Sequence, residues 1–135
     1  MENGNEKIDA KGQQELIFKL TAMEQQMQQI QQRLQVVEQN LVEMASLNVG
    51  LGDLGNMKDK EIFAHIGMGV FTKAKIISDD LLVDVGDKKF VKKSVQDTQD
   101  LIKEQMGKLE EVKIELNVSM ENLSREAQKM MGMNG

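Results

Sequence analysis

With 135 residues, 40% apolar but only 3% aromatic, the chain has the length of one domain (1–135) and lacks the bulky side chains of a thick core. Burial has to come from long thin seams and from other chains. A net charge of −5, with seventeen cationic and twenty-two anionic side chains interspersed, leaves no basic face for nucleic acid. The absence of cysteine removes disulfides and thiolate metal sites.

The N-terminus has neither a basic start nor an apolar stretch of secretory type, and the first seven or so residues are expected to be loose. No run approaches the ~18 apolar residues of a membrane span. Together with the lack of cysteine, this makes a cytoplasmic protein the expectation.

Helix 1 is expected over about 9–48. Its seam reads Leu16, Leu20, Met23, Met27, Ile30, Leu34, Val37, Leu41 and Met44, in alternating steps of four and three. That is the 3.5-residue period of a coiled coil, not the wider stripe of a helix on a globular core. The glutamines from Gln25 to Gln35 fall off the seam and form a polar shell of good helix formers. Gly50, Gly52 and Gly55 then read as helix breakers, with further turns as far as Leu54 left open. Residues 56–61 read as a linker.

From Glu61 the period changes to two. Ile62, Ala64 and Ile66 alternate with Phe63 and His65, and Gly67-Met68-Gly69 is a turn. Val70 to Ile77 is a second strand and Ser78-Asp79-Asp80 a second turn. Leu81, Val83 and Val85 alternate next, and Gly86-Asp87 turns into Lys89-Phe90-Val91-Lys92. The result is two short β-hairpins over 61–92. A lone hairpin is marginal in water, so strand packing with other chains is expected. The assembly residues would be Ile62, Ala64, Ile66, Val70, Phe71, Leu81, Val83, Val85 and Phe90, with Ile62, Ile66, Val83 and Val85 buried.

Ser94-Val95-Gln96-Asp97 fits a capping box and opens helix 2, expected over 94–131. Its seam reads Val95, Ile102, Met106, Leu109, Leu116, Met120, Leu123, Ala127 and Met130, with polar Gln99 and Lys113 at seam positions. Two arms of similar length around a β centre predict an α+β fold: a long antiparallel coiled-coil hairpin with two central β-hairpins. Facing residue numbers that sum to about 143 bring every a position to a d, and a one-heptad slip to about 150 does the same. The Gly50 break favours the first register.

Candidate chemistry is sparse. Gly50-Leu51-Gly52-Asp53-Leu54-Gly55 spells a dinucleotide fingerprint, but a coiled-coil helix precedes it where a strand is needed. His65 is the single histidine, without the partners of a zinc site or a nucleophile. The carboxylates are dispersed at helix-surface spacing. The expectation is therefore no enzyme, with no catalytic, cofactor or metal residues. Lys88, Lys89, Lys92 and Lys93 form a basic cluster, either a guard against strand addition or a docking patch for an acidic partner. Asn117-Val118-Ser119 and Asn122-Leu123-Ser124 match glycosylation acceptors, in mid-helix.

Most of the eleven methionines lie on the seams. Phe18 does not. It sits at heptad position f, opposite the seam, beside Ile17 at e. It is either an isolated exposed residue or part of an apolar patch at the arm tip. Antiparallel pairing would gather Leu16, Ile17, Phe18, Leu20, Met130, Met131 and Met133 there. Flexible thioethers suit a surface that fits many partners.

The segment from Glu61 to Ile76 resembles the first hairpin of α-class subunits of the prefoldin family. Leu82-Val83-Asp84-Val85-Gly86 followed by Phe90-Val91-Lys92-Lys93-Ser94 is similar to their second hairpin and the start of helix 2. The helix, two hairpins, helix order covers nearly the whole chain, with an archaeal look. The chain departs at His65, where proline is common, and at Lys93, where an acidic residue is common. The resemblance implies an α₂β₄ hexamer with prefoldin β-type subunits, joined through the hairpins. It implies arm tips that hold non-native polypeptides without ATP and pass them to a group II chaperonin, with no nucleic acid and no membrane as partner. Periodicity alone also allows a structural coiled-coil adaptor that binds one folded partner.

Overall fold

The computed structural model describes the backbone of residues 2–132 and the side chains of residues 10–132. In chain order it contains α1 (Glu2–Leu54), β1 (Glu61–Gly67), β2 (Val70–Lys75), β3 (Leu81–Asp84), β4 (Phe90–Lys93) and α2 (Val95–Gly132). Two long helices enclose two small antiparallel hairpins, the expected α+β architecture.

α1 is longer than expected at both ends. It is helical from Glu2, where a loose start was expected, and runs past Gly50 and Gly52 to Leu54. The seam explains the second extension. Asn48 and Leu51 continue its four-three steps, and Leu51 is only 8% exposed. Burying a leucine is worth roughly 1.5–3 kcal/mol. Two helical glycines cost about 0.8–1 kcal/mol each. The terms are of similar size, and the continuing seam carries the helix over the glycines. It ends where the Gly55 N–H donates to the Leu51 carbonyl at 3.2 Å and tight turns follow through Met57.

By its contacts the chain divides into two units, Met1–Gln39 with Glu110–Gly135, and Asn40–Leu109. In the first unit the helices pair antiparallel. Met23 and Val37 of α1 and Leu116 and Ala127 of α2 are buried, all on the seams. Lys113 Nζ lies 3.8 Å from a Glu38 carboxylate oxygen. In the expected register Lys113 would stand beside Ile30, eight residues or ~12 Å along the axis from Glu38, out of reach. The observed register is therefore the alternative one, with facing numbers summing to about 150. Met23 is level with Ala127, Leu34 with Leu116, and Val37 with Lys113. The preference for the first register came from placing the helix end at Gly50; extending α1 removes that reason.

The second unit shows the same register within itself. Gln99 Nε2 donates to the Asn48 carbonyl at 3.1 Å. A Cβ on Gly52 would lie 3.3 Å from that nitrogen, and one on Gly55 would lie 3.9 Å from Val95 Cγ1. Leu41 is thus level with Leu109, and Met44 with Met106.

α2 starts on its expected cap. The Asp97 N–H donates to Ser94 Oγ at 3.0 Å. Thr98 is buried, and both its N–H and its hydroxyl donate to the Ser94 carbonyl, at 3.0 and 2.8 Å. Among the described residues the reciprocal bond, from the Ser94 N–H to the Asp97 carboxylate, is not formed.

β1 and β2 pair from Glu61↔Lys75 to Gly67↔Val70, with a bulge at Ile66. β3 and β4 pair from Leu81↔Lys93 to Asp84↔Phe90. The sheets are separate and two-stranded. Both turns reverse with positive φ at their two central residues, 51° and 79° at Met68 and Gly69, and 52° and 61° at Asp87 and Lys88. This handedness matches the twist of the flanking strands.

Candidate functional site

Two surfaces carry apolar groups that the fold of one chain leaves open: the arm end in the first unit and the hairpin faces in the second. At the arm end the seam residues Leu16, Leu20 and Met130 are half-buried. Off the seam, Ile17 is 63% exposed, Phe18 77% and Met131 55%. Met133 lies outside the described residues. Lys19, Ala22, Met23 and Gln26 of α1 share an open groove with Leu123, Glu126 and Met130 of α2, which places Met130 beside α1 but not in one groove with Leu16, Ile17, Phe18 or Leu20.

The register makes this end more specific. Ile17 and Met131 both occupy e positions, and in an antiparallel pair e positions face each other across one flank. The two therefore stand level on the same side, next to the half-open seam layer of Leu20 and Met130. Phe18 at f points away from the pair. The arm end thus offers an apolar flank and a separate aromatic outer face, rather than one concave pocket. The Thr21 hydroxyl donates to the Ile17 carbonyl at 2.8 Å, so the polar group in this turn is satisfied within the helix.

On the hairpins, Ile62, Ala64, Leu81 and Val83 are half-buried. Ile66, Val70, Phe71, Val85 and Phe90 are exposed in the single chain; the burial expected of Ile66 and Val85 was to come in part from other chains. Within one chain no second layer covers these strands. On β1–β2 one face carries Ile62, Ala64, Thr72 and Ala74, and the other Phe63, His65 and Phe71. The His65 and Phe71 rings lie 5.0 Å apart, centroid to centroid, tilted by 50°. The cross-strand pair of Lys73 Nζ and Glu61 at 3.3 Å is largely solvated, and such pairs contribute little.

Sequence reasoning passed over Phe63 and Leu82, although they are 70% and 67% exposed. Alternation assigned one face of each strand to a core and the other to solvent. The signal was nevertheless there: Ile62-Phe63 and Leu81-Leu82 are apolar on both faces, the pattern of strands covered on both sides. Outside these surfaces, Val36, Val42, Val49 and Ile114 are exposed along the helices. Among the described residues no group of side chains has the makings of a metal site, and no helix is long and apolar enough to cross a membrane.

Comparison with known proteins agrees with this architecture. The family model described as Prefoldin subunit matches residues 23–133. The chain is 29% identical over 111 residues to a prefoldin subunit alpha of Methanobrevibacter smithii, covering 82% of this chain and 76% of that one. It is 23% identical over 86 residues to the prefoldin subunit alpha of Methanosphaera stadtmanae, covering 64% of this chain and 62% of that one. In fold it is similar to a chain of the filamentous PFD from Methanocaldococcus jannaschii, seen by cryo-electron microscopy. The TM-score is 0.76 at 14% identity, over 84% of this chain and 95% of that one. Seams, hairpins and matched residues agree: the chain belongs to the prefoldin family, whose members are chaperone-type subunits that assemble with other prefoldin subunits.

Proposed function

We propose that this chain is the α-type subunit of an ATP-independent holdase. Its arm ends bind non-native polypeptides in the cytoplasm and deliver them to a group II chaperonin. Its hairpins join those of β-type subunits in an α₂β₄ hexamer. The observation that carries the reading is the set of large apolar side chains that the coiled coil does not use, Ile17, Phe18 and Met131, at the end of a helix pair. An isolated pair of helices gains nothing from a phenylalanine at f. A surface that captures unfolded chains gains area from it, and a thioether beside it adapts to different sequences.

The hairpins support the assembly part. Two separate two-stranded sheets with apolar residues on both faces lack the third strand or packed layer that independent stability requires. Strands from other subunits would supply both.

The test has two arms. Co-expression with a prefoldin β-type subunit is expected to give a stable hexamer by native mass measurement. That hexamer is expected to suppress aggregation of several unrelated denatured proteins without nucleotide. A complex that forms but protects none of them, while binding one folded protein, would replace the holdase with a structural adaptor.

A further inference from the structure

A slip of seven residues turns every apolar layer of a heptad seam into another apolar layer. Leucine, isoleucine and methionine therefore do not by themselves choose between registers. In the unit Asn40–Leu109, the observed register sets Leu41 level with Leu109, and the slipped one would set it level with Ile102. Apart from Leu51 at the end of the seam, the discrimination falls to the polar seam position Gln99.

Gln99 Nε2 donates to the Asn48 carbonyl at 3.1 Å, part-buried between the helices. Position 52 leaves that amide room: a Cβ there would come within 3.3 Å of Nε2, and the amide would have to give by a few tenths of an ångström. After a one-heptad slip the carbonyl beside Gln99 would be that of Leu41, so an acceptor would remain. The residue in the place of Gly52 would be Ala45, and its Cβ would crowd the amide. The slip would also set Leu51 level with Lys92, before α2 begins, and forfeit a leucine that is now 8% exposed.

We propose that Gln99, seated on Gly52, is the register key of this helix pair. It makes the glycine-rich last turns of α1 a socket instead of a break. This goes beyond the holdase reading and does not depend on it, because it concerns how the two helices find one alignment among near-equal ones. The key selects the alignment through space and a single hydrogen bond, and the apolar layers then supply the stability. Asn48 is a second polar seam position. Its carbonyl holds Gln99, and its own Oδ1 is buried without a protein partner.

The chain contains no cysteine, so introduced pairs report cleanly. Leu41→Cys with Leu109→Cys reads the observed register, and Leu41→Cys with Ile102→Cys the slipped one. A heptad shift moves facing positions by ~10 Å, beyond the span of a disulfide. In the otherwise unchanged full chain, the first pair is expected to close under mild oxidation about tenfold faster than the second. With Gly52→Ala and Gln99→Leu added, the second pair is expected to close severalfold faster than in the parent, though still more slowly than the first because buried Leu51 continues to favour the observed register. A second pair that stays as slow as before, at unchanged helical circular dichroism, overturns the proposal. If the double change lowers helicity, Gln99→Leu alone is read in its place, since it leaves an apolar seam intact. Acceleration of the second pair then supports the key, and its absence overturns it.

Discussion

Two glycines two residues apart in the last turns of α1 should respond unequally to the same substitution. Gly50 is helical, and an added Cβ would meet no heavy atom within 4 Å. Gly50→Ala should therefore gain most of the ordinary glycine-to-alanine difference, about 0.5–1 kcal/mol so near a helix end. That corresponds to a rise of roughly 2–5 °C in midpoint for a domain of this size. Gly52→Ala gains the same propensity but pushes the Gln99 amide by a few tenths of an ångström and weakens its bond to the Asn48 carbonyl, a bond worth about 0.5–1.5 kcal/mol net. The two terms oppose each other, and the midpoint should rise less than for Gly50→Ala. The assay is thermal unfolding followed at 222 nm, at fixed protein concentration because association shifts the midpoint. A neutral or destabilising Gly50→Ala would mean that the helix does not continue past Asn48, and the register argument would fall with it. Equal gains at both positions would mean that Gln99 does not occupy the space above Gly52.

Three further outcomes follow from burial. Leu116→Ala, at a seam position only 7% exposed, should cost about 2–3 kcal/mol, whereas Val118→Ala, 50% exposed, should cost under ~0.5 kcal/mol in urea unfolding; comparable losses would deny that the seam carries the stability. The triple change Phe18→Ser, Met131→Ser, Met133→Ser should leave the melting of the assembled protein within ~0.5 kcal/mol and weaken its suppression of aggregation, with avidity over several arms amplifying the loss; undiminished protection would remove the arm end as the client site. Val83→Asp sets a charge on a half-buried hairpin face and should release subunits while the helices persist; native mass spectrometry showing an intact complex would relocate the assembly interface.

The fold was legible because its two periods are clean. Steps of four and three from Leu16 to Met44 leave no other helical reading, and alternation from Glu61 onward marks the strands. The end of α1 was harder to read. Glycine propensity argues for a stop at Asn48, while Leu51, one seam step further on, argues against it. Only the packing of Leu51 against α2 decides between terms of similar size. The register inherited that uncertainty, since a heptad slip leaves the apolar pattern unchanged. Exposure at the arm end was legible from Phe18 at f, because nothing in a two-helix seam reaches that position. The level placement of Ile17 and Met131 was not, because it depends on the register. The apolar second faces of the hairpins were overlooked because alternation assumes one wet side, and Phe63 and Leu82 break that assumption.

The hairpins also set a schedule for the molecule. Each strand hydrogen-bonds along one edge only, so half of its peptide groups face water until another strand arrives. The helices need no such arrival, because their backbone bonds close within each helix. A newly made chain thus holds its arms in place while its central strands open and close freely. If the hairpins are the assembly face, as proposed, amide protection in residues 61–75 and 81–93 should rise as partners dock, and those amides would serve as a clock for assembly. On the same proposal an unpartnered subunit would display these strands to proteases for as long as it stays alone, and one short stretch of backbone would govern both the lifetime of the surplus chain and the completion of the complex.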